Sequence, residues 1–279
     1  DRARPARPHR RPRQQPMTAP TTVGARAAKL DALRAAARRT IDEGKDWIGP
    51  LNRGLRLTDA TWQESARVCS NAVWHARRTG RDVLKDLDSR PVPGADMSAP
   101  AHRTWWHLYF TALRFDFRCG SIRTVFQALD PPGAEHADPY IRAHEVFAVL
   151  GRSQPAGLGM LDDLLAQDEA ATSREVLHVL LQGLWLGHLL PGRPERILHL
   201  TGLPPLSRTA DPVALMRTAG ALRQLGRPRE ALTTIDEAIE ALPAGDPGVH
   251  ADLVRERTLI TTVLDMAPLA IPIPQGDTA

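Results

Sequence analysis

Apolar residues recur at spacings of three and four along most of the chain, as on one face of an α-helix. Trp106, Phe110, Leu113 and Phe117 form one such stripe, which we expect to be core. Alternation of apolar and polar residues, the pattern of a half-buried strand, is scarce. The pattern therefore predicts an all-α protein. It places helices near 22–43, 61–79, 81–88, 101–118, 121–129, 138–150, 157–167, 173–189, 193–200, 211–225, 228–242 and 248–264.

Short turn motifs separate the predicted helices. Thr61 and Glu64 have the spacing of a capping box, which predicts a helix start. Five turn glycines follow one another at spacings of 40, 31, 41 and 34 residues, and we expect each to end a helix in the left-handed conformation. Pro194 and Pro228 are each expected in the first turn of the next helix. The glycines are Gly80, Gly120, Gly151, Gly192 and Gly226.

One turn is repeated in the second half of the chain. Residues 192–198 read GRPERIL, and residues 226–232, which lie 34 positions later, read GRPREAL. Residues 212–245 resemble the tetratricopeptide repeat (TPR), a family that places small residues where its two helices touch and larger apolar residues between them. The positions that carry the resemblance are Leu215, Ala219, Leu222, Gly226, Ala231, Ile235, Ala238 and Pro243.

The resemblance weakens toward the N-terminus. The preceding unit keeps its turn at Gly192, but Trp185 stands where a small residue is usual, and earlier units match only in helix length and turn glycine. The resemblance implies a right-handed stack of about five TPR-like helical hairpins, an α-solenoid, because one hairpin of short helices cannot bury its apolar face alone. It also implies that a peptide or protein partner binds in the concave face.

Composition divides the chain into four parts. Residues 1–20 are expected to be a disordered basic tail, 21–90 an irregular helical region, 91–266 the TPR-like repeats and 267–279 a flexible tail. Residues 1–16 carry six arginines and one acid, so the remaining chain has a net charge of −1 although the whole has +4. One hypothesis is that the natural protein starts at Met17; the alternative is a basic arm that contacts acidic surfaces.

The charge balance and the cysteines bear on the cellular setting. Because residues 17–279 are nearly neutral, we do not expect specific nucleic-acid binding. Arginine exceeds lysine by 33 to 3, which suggests a GC-rich bacterial genome. Two cysteines, without a C-x-x-C motif, are typical of a reduced cytoplasmic protein. The longest apolar stretch, 176–190, is too short and too polar for a membrane span, so no membrane association is expected.

The aromatic-rich segment 102–118 holds the first set of candidate binding residues. Arg103, His107 and Arg114 fall on one helical stripe with Thr111 and Arg118, and the aromatic residues Trp105 and Tyr109 flank that stripe. Arginine beside aromatic residues is favoured at interfaces, so the stripe is expected to line a groove for an acidic or aromatic partner segment. The alternative is a solvated helix face.

The TPR resemblance adds two more candidates. The groove positions of the family fall here on residues that include Arg217 and Arg223, which are expected to contact a partner unless they are ordinary solvated arginines. Some TPR domains clamp a C-terminal carboxylate with lysine and asparagine at such positions. The matching positions here hold neither, so we do not expect that ligand.

Motifs for chemistry are missing from the sequence. The histidines form no H-E-x-x-H, His178 reads as a core histidine with a satisfied hydrogen bond, and no G-x-S-x-G or phosphate loop occurs. We therefore expect no cofactor, no metal and a binding protein rather than an enzyme, such as a scaffold or regulatory adaptor. The alternative is an all-helical enzyme or a ligand-sensing regulator with a pocket near residues 102–118.

Overall fold

The computed structural model describes residues 23–94, 96–97, 99–129, 137–242 and 247–266. Within these ranges it contains fifteen α-helices and no strand, which confirms the all-α prediction. None of the helices in the described ranges is both long and apolar enough to cross a membrane. The predicted tails 1–20 and 267–279 lie outside the described residues. The helices are α1 (Val23–Asp42), α2 (Ile48–Leu57), α3 (Trp62–Arg78), α4 (Val83–Asp88), α5 (Pro100–Phe115), α6 (Cys119–Ala128), α7 (Pro139–Leu150), α8 (Ala156–Leu165), α9 (Asp168–Ala171), α10 (Arg174–Leu186), α11 (Arg193–Gly202), α12 (Pro204–Ser207), α13 (Pro212–Gln224), α14 (Pro228–Glu240) and α15 (Pro247–Met266).

Helix α2 is absent from the sequence prediction. Its segment contains Gly49, Pro50 and Gly54, residues that usually mark turns. Ile48, Leu51 and Leu55 are nevertheless spaced by three and four, and all three are buried. Pro50 is tolerated because it lies in the first helical turn, where the missing amide proton has no helical partner. The short helices α9 and α12 are likewise not predicted from the sequence.

Capping side chains explain several helix starts. Thr61 and Glu64 form the predicted capping box, in which the Thr61 side chain accepts from the Glu64 amide and the Glu64 side chain accepts from the Thr61 amide. Asp138 and Asp211 each accept two amide protons at the starts of α7 and α13. Pro194 and Pro228 lie in the first turns of α11 and α14, as expected.

The expectation that each turn glycine ends a helix in the left-handed conformation is correct at two of five positions, Gly80 and Gly226. Gly192 is left-handed too, but it lies at the start of α11 rather than at the end of α10. Gly80, Gly192 and Gly226 have positive φ angles of 77°, 61° and 71°. Gly120 lies inside α6, and Gly151 has a φ of −62°. At those two turns the left-handed residue is instead Phe117 or Ser153, two or three positions away from the glycine.

Buried apolar side chains fall into three clusters. We call them the N-terminal cluster (α1–α4 with part of α5), the central cluster (mainly α5–α11) and the C-terminal cluster (α13–α15). Partly buried side chains join them: Trp105 and Tyr109 contact the first two clusters, and Leu198 contacts the last two. The core is thus continuous along the chain.

Helices pack mainly against near neighbours in sequence. Helix α5 contacts α3 and α7, α7 contacts α10, and α10 contacts α13. The helices between them pack alongside, with α6 against α7 and α11 against both α10 and α13. Helix α3 also contacts α10, although the two helices are far apart in the sequence.

Candidate functional site

An open cleft lies between helices that are far apart in sequence. Its volume is about 730 Å³, and its walls come from α3, α5, α10, α13 and the first turns of α15, with one residue from α1. The lining therefore combines helices from the N-terminal and C-terminal halves of the chain. A concave site of this size is the usual place for a ligand or a partner side chain.

Part of the cleft wall is aromatic and apolar. Trp74 on α3 packs against Phe115 on α5 with ring centroids 5.4 Å apart. Phe117, which follows α5, is 56% exposed and lines the same opening. Val213 and Met216 on α13 also line the cleft. These side chains offer apolar surface to whatever enters.

Positive charge predominates in the cleft. Six arginines line it against three carboxylates. A concave surface lined mainly by one sign of charge raises the local concentration of ligands of the opposite sign. The cleft is therefore suited to an anionic ligand. The charged lining residues are Arg38, Arg77, Arg78, Arg114, Arg174, Arg217, Glu175, Asp211 and Asp252.

Arg114 reaches the cleft from the core. Its guanidinium Nη1 donates a 2.5 Å hydrogen bond to Oε1 of Gln182, and its carbon Cζ lies 4.2 Å from the ring centroid of Phe115. The residue is 4% exposed, and its Nε has no hydrogen-bond partner among the described residues. Burial lowers its pKa because a buried guanidinium loses its hydration. Gln182 thus ties α5 to α10 beside the cleft.

Arg217 faces the cleft from α13. It is 8% exposed, and neither its Nε nor its Nη1 has a hydrogen-bond partner in the described part of the chain. Burial and then the positive charge of Arg114 lower the pKa of Arg217 to about 9, although Asp211 acts in the opposite direction. Two buried arginines of the cleft lining therefore repel each other.

Asp211 is the centre of a group of hydrogen bonds in the cleft wall. Its Oδ2 accepts a 2.8 Å hydrogen bond from Nε2 of His178 and also contacts Nη2 of Arg174. Its Oδ1 accepts from the amides of Val213 and Ala214 at the start of α13. Burial by itself raises the pKa of Asp211, but the hydrogen bond from His178 and the other donors lower it well below its usual value. Asp211 remains a carboxylate at neutral pH.

Of the seven binding residues predicted from the sequence, the cleft brings together Arg114 and Arg217. Arg103 and His107 lie elsewhere, around the buried carboxylate of Asp138. The His107 Nε2 donates a 2.9 Å hydrogen bond to Asp138, and the Arg103 Nε is 3.7 Å from the same oxygen. Burial by itself raises the pKa of Asp138, but the charge and hydrogen bond of His107 lower it below its usual value. This cluster holds α5 against the start of α7.

The aromatic candidates and Arg223 also lie outside the cleft lining. Trp105 stacks on Tyr109 with ring centroids 4.8 Å apart, and both are partly buried between the N-terminal and central clusters. Burial raises the pKa of the Tyr109 phenol. Arg223 donates from Nε to Oε1 of the buried Glu256 at 2.7 Å, which joins α13 to α15.

The sequence view of α5 needs a correction. The alternative of a solvated face is wrong for His107, Thr111 and Arg114, which are all buried between α5 and its neighbours. Trp106, Phe110 and Leu113 are core residues as predicted, but Phe117 is wrong as a core position because it follows the helix end and is exposed.

The structure adds residues to the cleft that sequence reasoning missed. His178 was expected to be a core histidine with a satisfied hydrogen bond; its hydrogen bond to Asp211 is present, but its side chain is 22% exposed and lines the cleft. Arg174 and Asp211 gave no signal in the sequence, since they come together only when α10 packs near the start of α13.

The cysteines are separate from the cleft. Cys69 and Cys119 are both free thiols in buried positions. Burial raises the pKa of the Cys69 thiol to about 12 and also raises that of Cys119, so neither forms a thiolate readily. In the ranges that the structure describes, no three His, Cys, Asp or Glu side chains are grouped so that they could hold a metal ion.

Comparison with known proteins gives no match: no protein-family model, no curated protein and no solved structure is significantly similar to this chain.

Proposed function

We propose that this protein is a TPR-like interaction module that binds a peptide segment of a protein partner in the interhelical cleft. The observation that carries the proposal is the cleft itself. It is concave, about 730 Å³ in volume, positively charged, and bounded by helices from both halves of the chain. The aromatic and apolar walls provide contact area, and the arginines provide attraction for acidic side chains.

The order of helix contacts supports a TPR-like stack. In such a stack each hairpin contacts mainly its neighbours along the chain. The helices from α10 onward follow this order, although α3 also contacts α10. Helices α10 and α11 pack together, α11 packs against α13, and α13 packs against both α14 and α15. The close approach of α7 to α10 at Gly183, where a methyl group would lie 2.9 Å from the Phe147 Cα, is of the kind that stacked hairpins require.

A photo-crosslinking experiment tests the binding proposal. A photoreactive phenylalanine analogue at Phe117 lies in the cleft opening with its side chain exposed. The matched control places the same analogue at Leu189, which is 85% exposed and is not part of the cleft lining. Irradiation in the native cell is expected to attach a defined protein through position 117 and not through position 189.

Two outcomes of the crosslinking experiment would contradict the proposal. If both positions capture the same proteins, or if position 117 captures none, the cleft is not the partner site. Mapping the crosslinked peptide by mass spectrometry identifies the partner segment, which is expected to carry acidic groups because the cleft is basic.

A small-molecule sensor is the second candidate function. The cleft volume lies within the range of about 300–1,000 Å³ typical of small-ligand pockets, and His178 and Asp211 place polar groups in its wall. Native mass spectrometry of protein purified from its own cells distinguishes the two functions. A stoichiometric bound metabolite together with no crosslink at position 117 favours the sensor.

A further inference from the structure

We propose that Arg114 and Arg217 form a subsite for a dianionic phosphate group carried on the partner peptide. The proposal rests on the peptide-binding function above and names the chemistry that this cleft recognises. It starts from two arginines that share three features: they line the same cleft, they are more than nine-tenths buried, and neither forms an ion pair with a carboxylate among the described residues.

Three nitrogen atoms of these two side chains lack a hydrogen-bond acceptor among the described residues. Within the ranges that the structure describes, Nε of Arg114 and both Nε and Nη1 of Arg217 are buried without an acceptor. A buried polar group without a partner costs about 1–3 kcal/mol, and more when it is charged. Proteins rarely keep such groups unless a partner completes them. An acceptor with several oxygens can accept from more than one of these donors when it enters beside the two side chains.

Neighbouring charges do not already fill this role. Asp211, on the chain just before α13, uses both oxygens on His178, Arg174 and two amides. The other carboxylates of the cleft are Glu175 and Asp252, and neither forms an ion pair with Arg114 or Arg217. Tyr140 and Gln182 approach Arg114 as neutral groups.

The balance of charge favours a dianion over a single carboxylate. The two guanidinium groups, whose charges act on each other, together carry +2. A phosphate monoester carries about −1.5 to −2 at neutral pH. The planar fork of arginine matches the spacing of phosphate oxygens and forms paired hydrogen bonds with them. A carboxylate neutralises only one of the two arginines and leaves the other buried without a counterion.

Calorimetric titration of the full chain at pH 7.5 and low ionic strength tests the subsite. The probes are inorganic phosphate, acetate and the capped tripeptide glycine–phosphoserine–glycine. Saturable binding of phosphate at one site is expected, with acetate at least about 10-fold weaker, a difference of ~1.4 kcal/mol. Acetate binding as tight as phosphate overturns the dianion assignment.

Two arginine variants locate the binding. Arg217→Met is expected to weaken phosphate binding by about 10-fold or more, because charge-assisted hydrogen bonds are lost. Arg77→Met is the matched control, since Arg77 lines the same cleft but is exposed and pairs with Asp116. Equal losses in both variants indicate general attraction by the basic cleft and overturn the subsite.

The melting temperature separates a binding role from a structural one. Arg217 has no partner on Nε or Nη1 in the described part of the chain. Arg217→Met is therefore expected to melt at the same temperature as the unaltered protein or higher when phosphate is absent. A structural arginine gives the opposite result, a marked fall in melting temperature. Arg217→Lys, which keeps the charge but not the fork, is expected to retain folding and bind phosphate weakly.

The tripeptide identifies the source of the phosphate. Tighter binding of the phosphoserine peptide than of inorganic phosphate supports a peptide ligand, and the reverse order assigns the subsite to a free phosphate and overturns the peptide source. The outcome is independent of the crosslinking test. Phosphate binding without a crosslink at Phe117 rejects the proposed function alone, and a crosslink without phosphate binding rejects the subsite alone.

Discussion

At the scale of single residues, Asp211 shows how a buried carboxylate connects two helices. One of its oxygens caps α13 through the amides of Val213 and Ala214, and the other accepts from His178 and Arg174 on α10. The side chain is 2% exposed, so its charge depends on these donors rather than on water. The same contacts that stabilise the fold also fix the wall of the cleft.

Substitution of Asp211 separates its charge from its capping role. Asp211→Asn keeps an acceptor for the two amides but loses the negative charge, and we expect the free energy of unfolding to fall by about 1–3 kcal/mol at pH 7. Asp211→Ala loses the cap as well and is expected to cost about 1 kcal/mol more. Urea unfolding monitored by circular dichroism measures both differences.

The pH dependence of this effect has a defined sign. The pKa of Asp211 is lower in the folded protein than in the unfolded chain, whose value is about 3.9. Its contribution to stability is therefore fully present above about pH 4–5 and is lost as the pH falls through the folded-state pKa. The difference between Asp211→Asn and the unaltered protein should shrink on acidification, and a difference that grows below pH 4 would contradict this account.

The residues of the cleft show which parts of the site can be predicted from the sequence. Arg114 and Arg217 are predicted binding residues, and the structure places both in one cleft. Their burial is not predictable, because long charged side chains usually keep their ends in water and the sequence gives no sign that neighbouring helices cover these two. The contact between His107 and Asp138 is also missed, because the two residues come from different helices and meet only in the folded chain.

At the scale of helices, α7 and α10 approach each other closely through a glycine. A Cβ atom on Gly183 would lie 2.9 Å from the Phe147 Cα and 3.2 Å from the Leu150 Cβ. These are backbone and near-backbone atoms, which cannot move aside as the end of a flexible side chain can. The distance between the two helices is therefore set by the absence of a side chain at this position.

A glycine-to-alanine pair tests this close approach. Gly183→Ala is expected to lower the free energy of unfolding by about 1–3 kcal/mol, because the added methyl group forces α7 and α10 apart. Gly159→Ala on α8 is the matched control: nothing lies within 4 Å of its Cβ position, so the change should stabilise by about 0.5–1 kcal/mol. Urea denaturation of both variants gives the comparison. A neutral or stabilising effect of Gly183→Ala would show that the helices can adjust.

Helices are predicted correctly from the sequence where the apolar spacing of three and four residues continues over several turns, and they are missed where it covers only one or two turns. Helices such as α10 and α13 are predicted within a few residues because apolar spacing runs through several turns. Helix α2 is missed because Gly49, Pro50 and Gly54 look like a turn, and only burial of Ile48, Leu51 and Leu55 decides the matter. At Phe117 and Ser153 a non-glycine residue takes the left-handed conformation, which local sequence does not indicate.

At the scale of the whole molecule, the core is divided into three clusters that meet through a few side chains. The C-terminal cluster is built from α13, α14 and α15, and Leu198 of α11 joins it to the central cluster. In a stack of hairpins, stability is a sum of units and of interfaces between neighbours, so one end can open while the rest stays folded. A single closed core, by contrast, unfolds as one unit.

Hydrogen exchange in a core variant distinguishes these two architectures. Ile235 is fully buried in the C-terminal cluster, and Ile235→Ala removes apolar contacts worth about 2–5 kcal/mol. If the chain is a stack, amide exchange should accelerate in α14 and α15 while α5 and α7 keep their protection. Ile141→Ala, at a fully buried position in the central cluster, is the matched variant and should accelerate exchange in α5, α7 and α10. An increase of similar size in all helices for both variants would mean one cooperative core, and the cleft would then be a depression in a closed globule rather than the concave face of a stack.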